Sequence, residues 1–208
     1  IRSLVKTMVL SVMPIPINSY LLIAGDTSSS FELSGVFYKE LVHHWDPKKI
    51  IVILGNHELW DPWVEIDENI ETYRNFFTNL GITFLQNDLL CIKGIDQYDI
   101  LHESDLLKMD SYEIRKRTQF YPLFVLGGIG FSGLNKKYNA SNIRFGKSFE
   151  EVPSEVALKK DIQETKRFNI IYTKILENLT KSKVIILTHS KKEDWNAKAH
   201  NPYWIYVN

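Results

Sequence analysis

Ile50-Ile51-Val52-Ile53-Leu54-Gly55-Asn56-His57-Glu58 is the stretch from which the rest of the chain can be read. Five aliphatic residues, four of them β-branched, stop at a glycine and three polar residues. A short apolar run bounded by glycine reads as a buried parallel strand. In open α/β sheets, ligands bind beyond the carboxyl ends of the strands. This strand is therefore expected to deliver Asn56, His57 and Glu58 to a site. All three side chains can bind metal or move protons.

Upstream, residues 20–24 (Tyr-Leu-Leu-Ile-Ala) form a second apolar strand, which ends at Gly25-Asp26-Thr27. Residues 31–45 carry Leu33, Val36, Phe37, Leu41 and Val42 near helical spacing. Strand, helix and strand make one βαβ unit with parallel strands and a right-handed crossover. Further upstream, residues 7–12 read as a short strand. Downstream, the pattern predicts a helix over 65–80 and a strand over 82–85. A strand over 89–95 is expected to run antiparallel to the latter across Gln86-Asn87-Asp88. Residues 96–117 are charged and contain some helix. Residues 121–131 are a glycine-rich strand, and 135–149 a polar loop. An amphipathic helix over 156–179 has Ile162, Phe168, Ile171, Tyr172, Ile175 and Leu179 near one face. A buried strand over 183–187 stops at Thr188-His189-Ser190.

Composition narrows the classes. The chain has 208 residues, 44% hydrophobic and 24% charged, which suits one globular α/β domain. Lysine plus arginine and aspartate plus glutamate balance at 25 each, so a general nucleic-acid surface is not expected. The apolar run over 8–17 is interrupted by Pro14 and Pro16 and is short of the roughly 20 residues of a membrane span; no membrane partner is expected. Cys91 is the only cysteine. It permits no intrachain disulfide and no thiolate metal cage, and a cytoplasmic setting is the expectation.

Three strands thus end at Gly25-Asp26, at Gly55-Asn56-His57-Glu58 and at Thr188-His189. As parallel neighbours they would gather Asp26, Asn56, His57 and His189 at one edge. A carboxylate, an amide oxygen and an imidazole suit manganese, iron or zinc. His57 follows Asn56 directly and would stand beside the metal as a general acid. Glu58 could hold its ring, as carboxylates behind metal sites do.

The blocks Leu21-Leu22-Ile23-Ala24-Gly25-Asp26, Val52-Ile53-Leu54-Gly55-Asn56-His57-Glu58 and Ile186-Leu187-Thr188-His189 resemble the calcineurin-like metallophosphoesterase superfamily, of bacterial type. The resemblance spans residues 21–189. It implies a four-layer αββα sandwich of two mixed β-sheets flanked by helices. It also implies a site for two divalent ions (Mn, Fe or Zn), in which Asp26 bridges and Asn56 and His189 each ligate one. A metal-bound hydroxide would attack the phosphorus of a phosphomonoester or phosphodiester, and His57 would protonate the leaving oxygen.

Two of the family's blocks are missing. No Asp-x-His precedes Gly25; Val12 follows Ser11 where an aspartate is expected. No Gly-His-x-His follows Tyr203-Trp204-Ile205-Tyr206-Val207-Asn208. The expectation is a single domain over 1–208 that lacks ligand loops near 11/12, at a seam between Ser11 and Val12, and after 208. The alternative is a catalytically degenerate relative that serves as a binding or scaffold module. The expected partner is a phosphate ester of unstated identity.

Plainer readings compete at each residue. Asp26 after a glycine also suits a turn or a helix N-cap. His189 also suits a strand end, and Glu58 a local cap. Asp96, Asp99, His102 and Glu103 have helical spacing, but a solvated face explains them better than a metal site. Gly128-x-Gly130-x-x-Gly133 fits a dinucleotide fingerprint, yet the residues after it start a helix poorly, so close sheet packing is the better reading.

Overall fold

The computed structural model describes residues 19–59, 64, 66–94, 97–131, 155–190, 192 and 206–207. The expected strand over 7–12, the Ser11–Val12 position, the 135–149 loop and most of the C-terminal stretch lie outside the described residues. In chain order the elements are β1 (Leu21–Ile23), α1 (Phe31–Leu41), β2 (Ile50–Val52), α2 (Ile66–Leu80), β3 (Thr83–Phe84), β4 (Asp88–Gly94), β5 (Gln97–Leu101), α3 (Glu103–Leu106), α4 (Ser111–Thr118), β6 (Leu123–Gly130), α5 (Glu155–Asn178), β7 (Lys183–Ser190) and β8 (Tyr206–Val207). Single 3-10 turns span Pro47–Lys49 and His57–Leu59.

Two sheets form. One has the order β1-β2-β3, the other β5-β4-β6-β7-β8. Side chains of a strand alternate between its two faces, and the apolar residues alternate between three cores. Ile50, Val52 and Leu54 pack with Tyr38, Leu41, Tyr73 and Phe77 of α1 and α2. Ile51 and Ile53 face the other way and meet Leu90, Ile92, Val125 and Leu187 of the second sheet. Leu89, Cys91, Phe124, Leu126, Val184 and Ile186 point outward onto Ile114 of α4 and Phe168, Ile171 and Ile175 of α5. Three cores between helices, sheet, sheet and helices give the expected αββα order.

The first sheet is parallel throughout its described strands, whereas two mixed sheets were expected. Each of its connections passes through a helix, and a helical crossover returns the chain in the same direction. The second sheet is mixed: β6 and β7 run parallel, and the other pairs run antiparallel.

A second expectation fails at Gln86-Asn87-Asp88. β3 and β4 are not a hairpin. β3 pairs with β2, while β4 pairs with β5 and β6. Asn87 adopts a left-handed φ of 60°, and the chain there passes from one sheet to the other. Leu85 and Leu90 then both enter the core between the sheets. The charged stretch 96–117 resolves into β5, α3 and α4. Asp110 and Glu113 form a reciprocal capping box at the start of α4. β7 runs on to Ser190, so Thr188 and His189 belong to the strand itself. Among the described residues, no helix is long and apolar enough to cross a membrane.

Gly128 and Gly130 lie within β6, opposite Thr188 and Ser190 of β7. A Cβ on Gly128 would stand 2.6 Å from Asn87 Oδ1 and 2.9 Å from the Phe168 ring. Gly128 and Gly130 serve close packing; Gly133 and the residues directly after it lie outside the described residues. Asp99, His102 and Glu103 are likewise dispersed. Asp99 accepts from the Tyr121 hydroxyl, His102 lies 3.4 Å from the buried Asp88 carboxylate, and Glu103 pairs with Arg167 at 3.0 Å. Asp96 lies outside the described residues.

Candidate active site

β1, β2 and β7 bring their carboxyl ends to one edge. After β1 the chain turns through two left-handed residues, Gly25 at φ 80° and Asp26 at φ 59°. After β2 it reaches Gly55 and then the 3-10 turn of His57–Leu59. The two loops touch through their glycines. A Cβ on Gly25 would lie 2.1 Å from Gly55 N, and one on Gly55 would lie 2.2 Å from Asp26 Oδ1. Both blocks therefore begin with glycine because no side chain fits between them. For Asp26 the left-handed conformation costs roughly 1–2 kcal/mol, so something must hold it.

Glu58 does so. It is 4% exposed, and its carboxylate accepts four hydrogen bonds. Oε2 takes Asp26 N and Gly55 N, each at 2.8 Å. Oε1 takes Thr27 N at 2.5 Å and Thr27 Oγ1 at 2.8 Å. An ionised carboxylate has about four lone-pair sites, and these four donors fill them. The expectation that Glu58 orients the His57 ring is thereby replaced: it clasps the Gly25–Thr27 turn to the loop after β2. From behind, Asn69 of α2 donates through Nδ2 to the Glu58 carbonyl at 2.8 Å.

The other four expected residues come together. Asp26 Oδ1 accepts from the His57 backbone N–H at 3.0 Å. Asp26 Oδ2 lies 3.4 Å from His189 Nε2 and 3.9 Å from His57 Nε2. His189 Nε2 is 2.8 Å from Asn56 Oδ1, and His189 Nδ1 is 2.9 Å from the Ala24 carbonyl. The His189 side chain is 11% exposed and that of His57 42%. One imidazole is sunk between strand ends; the other is open to solvent.

A carbonyl oxygen only accepts, so His189 Nδ1 carries a proton. His189 Nε2 then faces two oxygens, Asn56 Oδ1 and Asp26 Oδ2. Three lone-pair donors face one another, and a proton or a cation must lie among them. Donor atoms bound to one divalent ion at about 2.1 Å and at right angles stand about 3 Å apart. The spacings of 2.8 and 3.4 Å fall on either side of that. The residues present thus fit a hard or borderline divalent ion, through one carboxylate, one amide and one imidazole. Among the described residues, no group of three His, Cys, Asp or Glu side chains gathers as a metal cage. The donor set reaches three only by counting the Asn56 amide.

Sequence reasoning missed Thr27 and Asn69. Thr27 sits directly after Gly-Asp, and Asn69 is the buried polar residue on the inner face of α2; each is a polar residue where an apolar or a solvated one would be ordinary.

A family model for calcineurin-like phosphoesterases matches residues 5–203. The chain belongs to the calcineurin-like phosphoesterase family. Searches of curated proteins and of solved structures found no match.

Proposed function

We propose that the protein is a metal-dependent hydrolase of phosphate mono- or diesters. The observation that supports this best is the meeting of Asp26 Oδ2, Asn56 Oδ1 and His189 Nε2 at the strand ends. Asp26, Asn56 and His189 would hold divalent ions of manganese, iron or zinc. Such ions, when bound, supply an activated water and Lewis-acid stabilisation of phosphoryl oxygens.

The protein's own groups divide the remaining work. Asp26 has one oxygen steadied by the His57 amide and the other turned to the site. His189 is fixed by the Ala24 carbonyl, so its ring cannot swing away. His57 presents an open imidazole beside Asp26, suited to give a proton from Nε2 to the departing alkoxide or phenoxide oxygen. Its backbone amide and its ring serve different partners, and loss of the ring leaves the amide contact intact. A cytoplasmic setting, with the single thiol Cys91 reduced and buried, belongs to the same proposal.

The test is hydrolysis of p-nitrophenyl phosphate and bis-p-nitrophenyl phosphate by protein loaded with Mn²⁺ and then stripped by chelation. Turnover that needs the metal supports the proposal. A protein that binds no Mn²⁺, Fe²⁺ or Zn²⁺ and hydrolyses neither ester is the scaffold alternative.

A further inference from the structure

Behind the Glu58 clasp runs a chain of hydroxyls that leads from the half-buried Thr27 into the core. Thr27 Oγ1 donates to Glu58 Oε1 at 2.8 Å. Ser34 Oγ of α1 lies 3.3 Å from Thr27 Oγ1, and Tyr73 OH of α2 donates to Ser34 Oγ at 3.4 Å. Ser34 is 0% exposed and Tyr73 1%. Nothing in an αββα core requires polar groups between the sheet and helices α1 and α2. The hydroxyl of Tyr38 also reaches Thr27, and the other neighbours there are Leu41, Ile70 and Phe77. Buried hydroxyls cost stability unless bonded, so a chain of them calls for an explanation.

The proton order in this chain is fixed from one end. A carboxylate only accepts, so the single Thr27 hydroxyl proton goes to Glu58. Thr27 Oγ1 must then accept from Ser34, and Ser34 from Tyr73. Each bond polarises the next toward Glu58. Glu58 in turn holds the amides of Asp26, Thr27 and Gly55.

We infer that Thr27 is a positioning residue for the site: its hydroxyl ties the Glu58 clasp to Ser34 and Tyr73, and so fixes the strained Asp26 turn to helices α1 and α2. This rests on the reading of Asp26 as a metal ligand, but the hydroxyl chain can be tested without metal. Thr27 touches no reacting atom; it acts through Glu58.

Three variants separate the chain from simple packing. Thr27→Val keeps the shape and removes the hydroxyl, Thr27→Ser keeps the hydroxyl and removes the methyl, and Tyr73→Phe cuts the far end. In metal-free protein, amide hydrogen exchange at Asp26 and Gly55 is expected to rise about tenfold in Thr27→Val, the equivalent of one lost bond to a charged group. Thr27→Ser should stay within about twofold, since its bond to Glu58 survives. Mn²⁺ affinity should fall about tenfold in Thr27→Val, the lower end of losses seen when a group behind a metal ligand is removed, and Thr27→Ser should restore it. Tyr73→Phe should show a smaller effect in the same direction. Unchanged exchange at Asp26 and Gly55 in Thr27→Val overturns the inference, as does a Thr27→Ser variant as damaged as Thr27→Val. Wild-type protein that binds no Mn²⁺ would sink the metal reading instead, and amide exchange would still decide the role of Thr27. Should Thr27→Val not fold, Tyr73→Phe carries the test: faster exchange at Asp26 and Gly55 than in wild type supports the inference, and unchanged exchange overturns it.

Discussion

His189 Nδ1 lies 2.9 Å from the Ala24 carbonyl oxygen, although the two residues are 165 positions apart in the chain. The contact ties the edge of the second sheet to the turn that carries Asp26. It also fixes which ring nitrogen is protonated. Nitrogen-15 NMR of the neutral ring should show the proton on Nδ1, and added Zn²⁺ should shift Nε2. A ring protonated at Nε2 alone would contradict the bond to Ala24 and remove His189 as a ligand through that atom.

His57 is expected to separate chemistry from binding. Its ring is 42% exposed and stands 3.9 Å from Asp26 Oδ2, while its amide steadies Oδ1. His57→Ala keeps the amide. Turnover should fall by about 10² to 10⁴, the usual contribution of a general acid, with Mn²⁺ affinity changed less than about threefold. Metal titration and steady-state kinetics on the same preparation check this. Turnover equal to wild type would end the acid role.

Lys174 closes a different gap. Its Nζ donates to the carbonyls of Leu106, Leu107 and Met109 at 3.2, 2.9 and 3.0 Å, so α5 holds the link between α3 and α4. Lys174→Met keeps the stem and strips the three donors. Bonds from a charged donor contribute about 1.5–3 kcal/mol, and urea unfolding should show a loss of at least that size. A change under about 0.5 kcal/mol, the range of an ordinary surface substitution, would show that water replaces the ammonium.

The fold was legible where periodicity was strong. The run Ile50–Leu54 alternates between two cores, and helix 156–179 coincides with α5 within a residue at each end. The β3–β4 link was not legible. A three-residue polar turn between two apolar runs reads as a hairpin, and only the strand pairings, β3 with β2 and β4 with β5 and β6, show otherwise. At the site, the residue types at the strand ends picked out Asp26, Asn56, His57 and His189, and the fold brings these four together. Glu58 was misplaced because adjacency to His57 suggests a partner in sequence, while the carboxylate reaches 31 and 32 positions back to Thr27 and Asp26. The roles of Thr27 and Asn69 were not legible, because they depend on loops that meet only in the fold.

Cys91 gives a pH test. It is 1% exposed in β4, and burial, with a smaller contribution from Asp99, pushes its thiol up to about 12. The folded state thus favours the protonated thiol. That contribution is complete below the unfolded thiol value of about 8.5 and is lost as pH rises from there to about 12. At pH 8 iodoacetamide should leave the native protein unmodified and label it in urea. Rapid labelling of native protein would show that β4 is open to solvent.

The central claim is that Asp26, Asn56 and His189 hold a divalent ion that the chemistry requires. Its most direct measurement is Mn²⁺ bound per chain, by titration and by metal analysis, in wild type and in Asp26→Asn, alongside hydrolysis of bis-p-nitrophenyl phosphate. The account predicts at least one ion per chain in wild type, affinity reduced about 10- to 100-fold in Asp26→Asn, and turnover that follows occupancy. Equal Mn²⁺ binding in both proteins, or hydrolysis unaffected by complete removal of metal, would contradict it.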